Sequence, residues 1–150
     1  MTGRGRRYPG TVARAQRTLA ALHAGLYRLS GGRLGGRVMG SPVLVLVTTG
    51  RKTGAERHTP LLYLPDGGDF VIVASNGGTA SHPAWWHNLR AEPRAGVILA
   101  GRRLPVVASE ATGDDRRGLW ERLVRMYPGY ASYQRKTDRE IPVVRLRPEG

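Results

Sequence analysis

VLVLVTTGRKTGAERHTPLLYL, residues 43–64, joins an apolar run to an alternating run through a cluster of cations set between two glycines. Its Gly-Arg-Lys-Thr-Gly centre invites comparison with a P-loop, where a glycine-rich turn wraps a phosphate and leads straight into a helix. The order is wrong for that. Gly50 and Gly54 bracket Arg51, Lys52 and Thr53 instead of preceding a contiguous Gly-Lys-Thr. Downstream, Arg57, Thr59, Leu61 and Tyr63 alternate with His58, Pro60, Leu62 and Leu64, a period of two that marks a strand. The segment therefore reads as strand, glycine-bounded turn, strand, with a turn that offers an anion two adjacent cations and neighbouring hydroxyls.

The same signals extend along the chain. Strands are expected near 42–49, 56–64, 69–75, 96–100, 103–111 and 141–147, and helices near 82–91 and 114–126, the second capped by Asp114. Short turns such as Asp66-Gly67-Gly68-Asp69 make antiparallel hairpins. About six short strands, closely spaced, with one helix inserted and one following, predict a small α+β barrel rather than a parallel sheet. Residues 1–36 stand apart as a basic N-terminal helix and Gly-rich linker ahead of a barrel domain at 37–150. In that segment Val12, Ala15, Leu19, Leu22, Leu26 and Leu29 form an apolar stripe with Arg14, Arg17 and Arg28 off it. The stripe packs on the domain or lies on an anionic membrane face; both readings stay open.

Charge narrows the partners. The chain has 150 residues and a net charge of +13, and Lys52 and Lys136 are the only lysines among its 24 basic residues. No acid precedes Glu56, so the first third calls for an anionic partner. Aromatic interleaving of the kind that stacks bases is missing there, which argues against nucleic acid. With no cysteine, disulfides, thiolate metal sites and cysteine nucleophiles are excluded and a reducing cytoplasm is permitted. His82 and His87 do not share a helical face and have no Glu between them, so no metal site is expected. No run is long enough to span a bilayer, and arginines interrupt any signal-peptide core.

Two further constellations carry chemistry. ASNGGTASHPAWWHNL, residues 74–89, runs from an apolar strand through a glycine turn rich in small donors into a helix entered at His82-Pro83. Ser75, Asn76 and Gly77 offer N–H and O–H groups to a ligand, while Trp85 and Trp86 suit core packing. MYPGYASYQRKTDREIPVVRL, residues 126–146, places Tyr127, Tyr130 and Tyr133 every third residue on a segment loosened by Pro128 and Gly129. Such a stripe either lines a cavity with polar-tipped rings or bridges core and solvent, and both readings stay open.

Taken together, TTGRKTG, TPLLYL, VIVASNGG, HPAWWHNL and MYPGYASYQRKTDREIPVV closely resemble the deazaflavin-dependent nitroreductase family of actinobacteria, split β-barrel oxidoreductases that use coenzyme F420. The likeness runs from about Gly31 to Pro148, in the family's order and spacing. It implies that Arg51, Lys52 and Thr53 contact the coenzyme's tail phosphate, that Ser75, Asn76 and Gly77 meet its ring and ribityl chain, and that Trp85 and Asn88 close the site. Tyr127, Tyr130 and Tyr133 would face the substrate as catalytic residues. Two positions depart from the best-known nitroreductase: Asn76 replaces a lysine and Leu62 a pocket tyrosine. The implied activity is hydride transfer from reduced F420 to an electrophilic small molecule, such as a quinone, an enone or a nitroaromatic. The competing reading is a deazaflavin-sequestering protein docked at an anionic membrane. The expected location is the cytoplasm, with a peripheral position at the membrane's inner face if the basic helix docks there.

Overall fold

The computed structural model describes residues 41–149 and the backbone of Arg37–Val38; the basic helix and linker expected within residues 1–36 lie outside the described residues. The strands are β1 (Arg37–Val38), β2 (Ser41–Thr49), β3 (Glu56–Leu62), β4 (Leu64–Asp66), β5 (Asp69–Val73), β6 (Arg94–Leu99), β7 (Arg102–Glu110) and β8 (Val143–Pro148). Three helices accompany them: α1 (Ala84–Ala91), α2 (Gly113–Met126) and α3 (Gly129–Arg135).

Every pairing is antiparallel, and the path runs β1-β2-β6-β7-β8-β5-β4, with β3 also on β2. Only Tyr63 separates β3 from β4. One strand, bent at that residue, therefore pairs with β2 from Thr49↔Glu56 to Val43↔Leu62 and then with β5 from Leu64↔Val71 to Asp66↔Asp69. The bend links the two ends of the curled sheet, which is how six principal strands make a split β-barrel in an α+β fold. Tight hairpins hold the register. Ala100 and Gly101 both take positive φ (51° and 75°), and so do Gly67 and Gly68 (56° and 91°), the twist that two-residue hairpin loops require.

Alternation sends side chains to two cores. Leu44, Leu46, Ile72, Val97, Val106, Val144 and Leu146 point into the barrel and meet Trp85, Trp86 and Leu89 of α1. On the opposite face, Val71, Val73 and Val143 pack with Leu119 and Leu123 of α2 and with Tyr130 of α3. Leu44, Leu46 and Leu123 are fully buried, and each such side chain contributes about 1.5–3 kcal/mol. Both tryptophans are therefore core residues, as their apolar surroundings on α1 suit.

The helices differ from expectation in two ways. Asp114 is not the cap of α2: Thr112 occupies that position, and Asp114 sits exposed in the first turn, paired with Arg117. A negative charge there still complements the helix end. The third helix, α3, was not among the expected helices, and it begins beside Pro128 and Gly129, residue types that ordinarily interrupt helices. Pro128 instead adopts helical φ/ψ (−59°, −20°) as the residue before α3, and a side chain at Gly129 would come within 2.5 Å of the Tyr127 ring. Proline preset for a first turn and glycine under an aromatic ring start a helix here rather than end one.

Candidate functional site

The turn between β2 and β3 is built by its own backbone. Gly50 N–H donates to Ala55 O at 2.7 Å and Gly54 N–H to Gly50 O at 2.7 Å, with Gly54 at φ 74°, where a β-carbon would strain the chain. Asn88, only 4% exposed, fixes this turn to α1. Its Oδ1 accepts from the backbone N–H of Arg51 (3.1 Å) and from Arg51 Nη1 (3.2 Å), while its Nδ2 donates to Thr48 Oγ1 at 3.2 Å. A buried amide with both ends engaged in this way acts as a rigid bracket.

That bracket forms one wall of a cleft of about 660 Å³ lined by Arg51, Lys52, Thr53, Arg57, Thr59, Trp85 and Asn88, among others. Five of the residues expected to hold a cofactor, Arg51, Lys52, Thr53, Trp85 and Asn88, thus share one cavity. Arg57, His58 and Thr59, successive residues at the start of β3, are additions to the same lining, and alternation puts Arg57 and Thr59 on one face of the strand. Glu56 also lines the cleft, but Arg103 grips its carboxylate in a bidentate pair at 2.6 and 3.2 Å. That hydrogen bonding holds the Glu56 carboxyl below its usual range. Among the described residues, no carboxylate pairs with Arg51, Lys52 or Arg57. Three exposed cations around a neutralised acid make a cavity that attracts anions.

Ser75, Asn76 and Gly77 are not on this cleft's lining. They open a left-handed turn (Asn76 φ 46°, Gly77 φ 66°, Gly78 φ 79°) that packs against α3. A β-carbon at Gly78 would lie 2.6 Å from the Tyr133 carbonyl oxygen, so this glycine lets the turn touch the tyrosine helix directly. The structure thereby joins the second and third sequence constellations, and the chain then runs on through His82 into α1 and the cationic cleft.

The three tyrosines are not equivalent. Tyr127 and Tyr133 are half-buried with hydroxyls 3.1 Å apart, and burial together with that hydrogen bond pushes Tyr133 up to about 12. Tyr130 is 6% exposed, with its ring edge-on to Tyr127 at 4.9 Å in the second core, and burial raises its hydroxyl further still. Its placement backs the other two rings rather than fronting a cavity. The raised Tyr130 and Tyr133 hydroxyls are protonated at neutral pH.

Arg139 escaped the sequence reading because one arginine among so many carries little signal. Its guanidinium reaches Ala74 O (3.2 Å), Ser75 O (2.7 Å), Thr79 O (2.9 Å) and His82 Nδ1 (2.9 Å). His82 in turn stacks on Trp86 with ring centroids 4.0 Å apart, and Arg90 lies over the same indole at 4.9 Å. Burial first, then the Arg139 charge, hold His82 below its ordinary value.

With this geometry in hand, comparison with known proteins is specific. The family model for F420H(2)-dependent quinone reductase matches residues 19–148. An F420H(2)-dependent quinone reductase of Mycobacterium tuberculosis is 40% identical over 132 residues, covering 85% of this chain and 89% of that protein. A solved structure of an F420-H2 dependent reductase, FDR-A, superposes with a TM-score of 0.66 at 40% identity, over 71% of this chain and 94% of the other. A more distant likeness, a haem storage protein of Vibrio cholerae at 13% identity and TM-score 0.55 over 72% and 82% of the two chains, supports the barrel alone. A match across nearly the whole barrel, at this identity, makes the chain a member of the F420H(2)-dependent quinone reductase family.

Proposed function

We propose that this enzyme reduces a quinone-type acceptor with F420H2, holding the coenzyme's anionic tail in the Arg51–Lys52–Arg57 cleft and the acceptor beside the Tyr127–Tyr133 pair. The observation that carries the reading is the cleft: three cations with no carboxylate partner among the described residues, on and just after a turn braced by the buried Asn88. The residues fit the coenzyme. A tail with a phosphodiester and several carboxylates is a compact polyanion, and charge-assisted hydrogen bonds from Lys and Arg are the strong ones. Thr53 and Thr59 add hydroxyls to the same wall. The glycine turn Ser75–Gly77 supplies further polar groups next to α3.

When bound, the reduced deazaflavin supplies a hydride, two electrons at once. The protein's part is placement and electrostatics. A quinone that gains a hydride becomes a phenolate-type anion and needs one proton to reach the quinol. Tyr127 and Tyr133, hydrogen-bonded to each other, can donate to that oxygen as its charge develops; a pair shares the load because one hydroxyl polarises the next. A group raised to about 12 serves as a hydrogen-bond donor and weak acid, not as a base, at neutral pH. Tyr130 keeps the two rings in place from the core side.

The test is turnover of menadione by reduced F420 with Tyr133→Phe, which keeps the ring and removes the hydroxyl. Coenzyme affinity, read from fluorescence, should hold while the rate falls about 10²-fold, the usual loss for one oxyanion donor or general acid. Full activity in the Tyr127→Phe/Tyr133→Phe double variant would exclude the assigned role. Tight F420 binding with no reduction of menadione, cyclohexenone or a nitroaromatic by the unaltered protein would instead point to a coenzyme carrier.

A further inference from the structure

Arg139 is unlike every other arginine in the described part of the barrel that is at least half covered. Arg116 and Arg145 each meet carboxylates; Arg139 meets none, and its partners are three backbone carbonyls and an imidazole nitrogen. A half-buried cation with no counter-charge carries a desolvation cost, and burial holds the Arg139 pKa below its ordinary value. The four acceptors span Ala74 to His82, the whole segment that leaves β5, turns through three left-handed residues and enters α1. One flat guanidinium can serve such a spread because its N–H groups point along fixed, divergent directions; an ammonium with one nitrogen cannot.

We infer that Arg139 is a positioning residue: it draws the carbonyls of Ala74, Ser75 and Thr79 onto a single side, and so sets the path of the Ser75–Gly77 turn and the orientation of the His82 ring. This rests on the reading above, in which that turn meets the ring end of the coenzyme. Arg139 also stands outside the cationic cleft, whose lining does not include it. Its effect should therefore fall on the ring end and spare the phosphate end. The contact with His82 has a further consequence. Nδ1 must accept, so the imidazole carries its proton on Nε2. Burial and the charges of Arg139, His87 and Arg90 favour the neutral ring, against Glu110, the one acid among the described residues that acts on it.

Three measurements decide the matter. In the unaltered protein without coenzyme, nitrogen chemical shifts should report His82 as the Nε2–H tautomer; an Nδ1–H tautomer would overturn the proposal without any variant. Arg139→Lys retains the charge and loses the fork, and should bind oxidised F420 about ten- to a hundredfold more weakly, the scale of one or two charge-assisted hydrogen bonds. In the same variant, inorganic phosphate should still shift the Arg51–Thr53 amide resonances as in the unaltered protein. Unchanged F420 affinity in Arg139→Lys, or equal loss of the F420 and phosphate responses, would refute the positioning role. Failure of the unaltered protein to bind F420 at all would fall on the coenzyme assignment instead, since the tautomer and phosphate readouts do not depend on it.

Discussion

The turn at Gly50–Ala55 and the hairpin at Asp66–Asp69 bracket the same bent strand, and both gather arginines, yet they handle charge in opposite ways. At the hairpin, Arg145, 14% exposed, binds Asp66 at 2.7 Å and Asp69 and Asp115 at 3.0 Å, while Arg122 takes the other Asp66 oxygen at 2.7 Å. Cations and acids there satisfy one another, and Asp66 is held below its usual range by Arg122 and then Arg145. At the turn, the cations face a cavity, and the nearest acid, Glu56, is already taken by Arg103. Charge that is matched inside the fold holds β4, β5, β8 and α2 together; charge left unmatched is available to a ligand. Net charge alone cannot separate these two uses.

The largest effect should come from breaking the matched side. Arg145→Met strands Asp66 and Asp69 at a partly buried junction, and removing one partner of a buried pair costs about 3–5 kcal/mol. Urea unfolding should register that loss, near the lower end because Asp66 keeps Arg122 and Asp115 is exposed. F420 affinity of the folded fraction should not change. A loss of affinity as large as the loss of stability would mean that the two regions are coupled and the contrast is false.

Lys52→Ala is the converse. Among the described residues Lys52 has no ion-pair or hydrogen-bond partner to lose, so folding stability should stay within about 0.5 kcal/mol. Binding of F420 should weaken by about 1.5–3 kcal/mol, roughly ten- to a hundredfold, and the difference between the two proteins should shrink as salt rises and screening shortens. An unchanged dissociation constant would make the turn a structural feature only.

How much of this could be read from the chain follows from which interactions are local. The six strands come from alternation over a few residues, and the hairpins from glycine pairs whose positive φ is a local demand; both were legible. The bend at Tyr63 was not, because it depends on β2 and β5 competing for successive parts of one strand. Nor was α3, since Pro128 and Gly129 act as starters only with the Tyr127 ring above them. Residue types picked out Lys52, Ser75 and the tyrosines, but their assignment to a coenzyme came through resemblance. The meeting of the Ser75 turn with α3 depends on Gly78 lying against Tyr133, and Arg139 on a fold that brings residues more than 55 positions apart to one guanidinium.

The smallest expected effect sharpens the comparison through pH, because protonating one aspartate disturbs the matched cluster less than deleting the arginine at its centre. The folded pKa of Asp66 is depressed, so its contribution is fully present above the unfolded value, about 3.9, and is lost as pH falls through the lower folded value. His82 is a base whose folded pKa is also depressed. Its neutral form favours the folded state above the unfolded value, about 6.5, and that contribution is lost as pH falls through its folded value. Unfolding free energy should therefore decline in two stages on acidification, first from His82 and then, below about pH 4, from Asp66. Asp66→Asn should flatten the second stage and leave the first; His82→Gln should do the reverse. If Asp66→Asn leaves the steepness below pH 4 unaltered, the hairpin carboxylate is not held by its arginines in solution, and the matched half of the contrast fails.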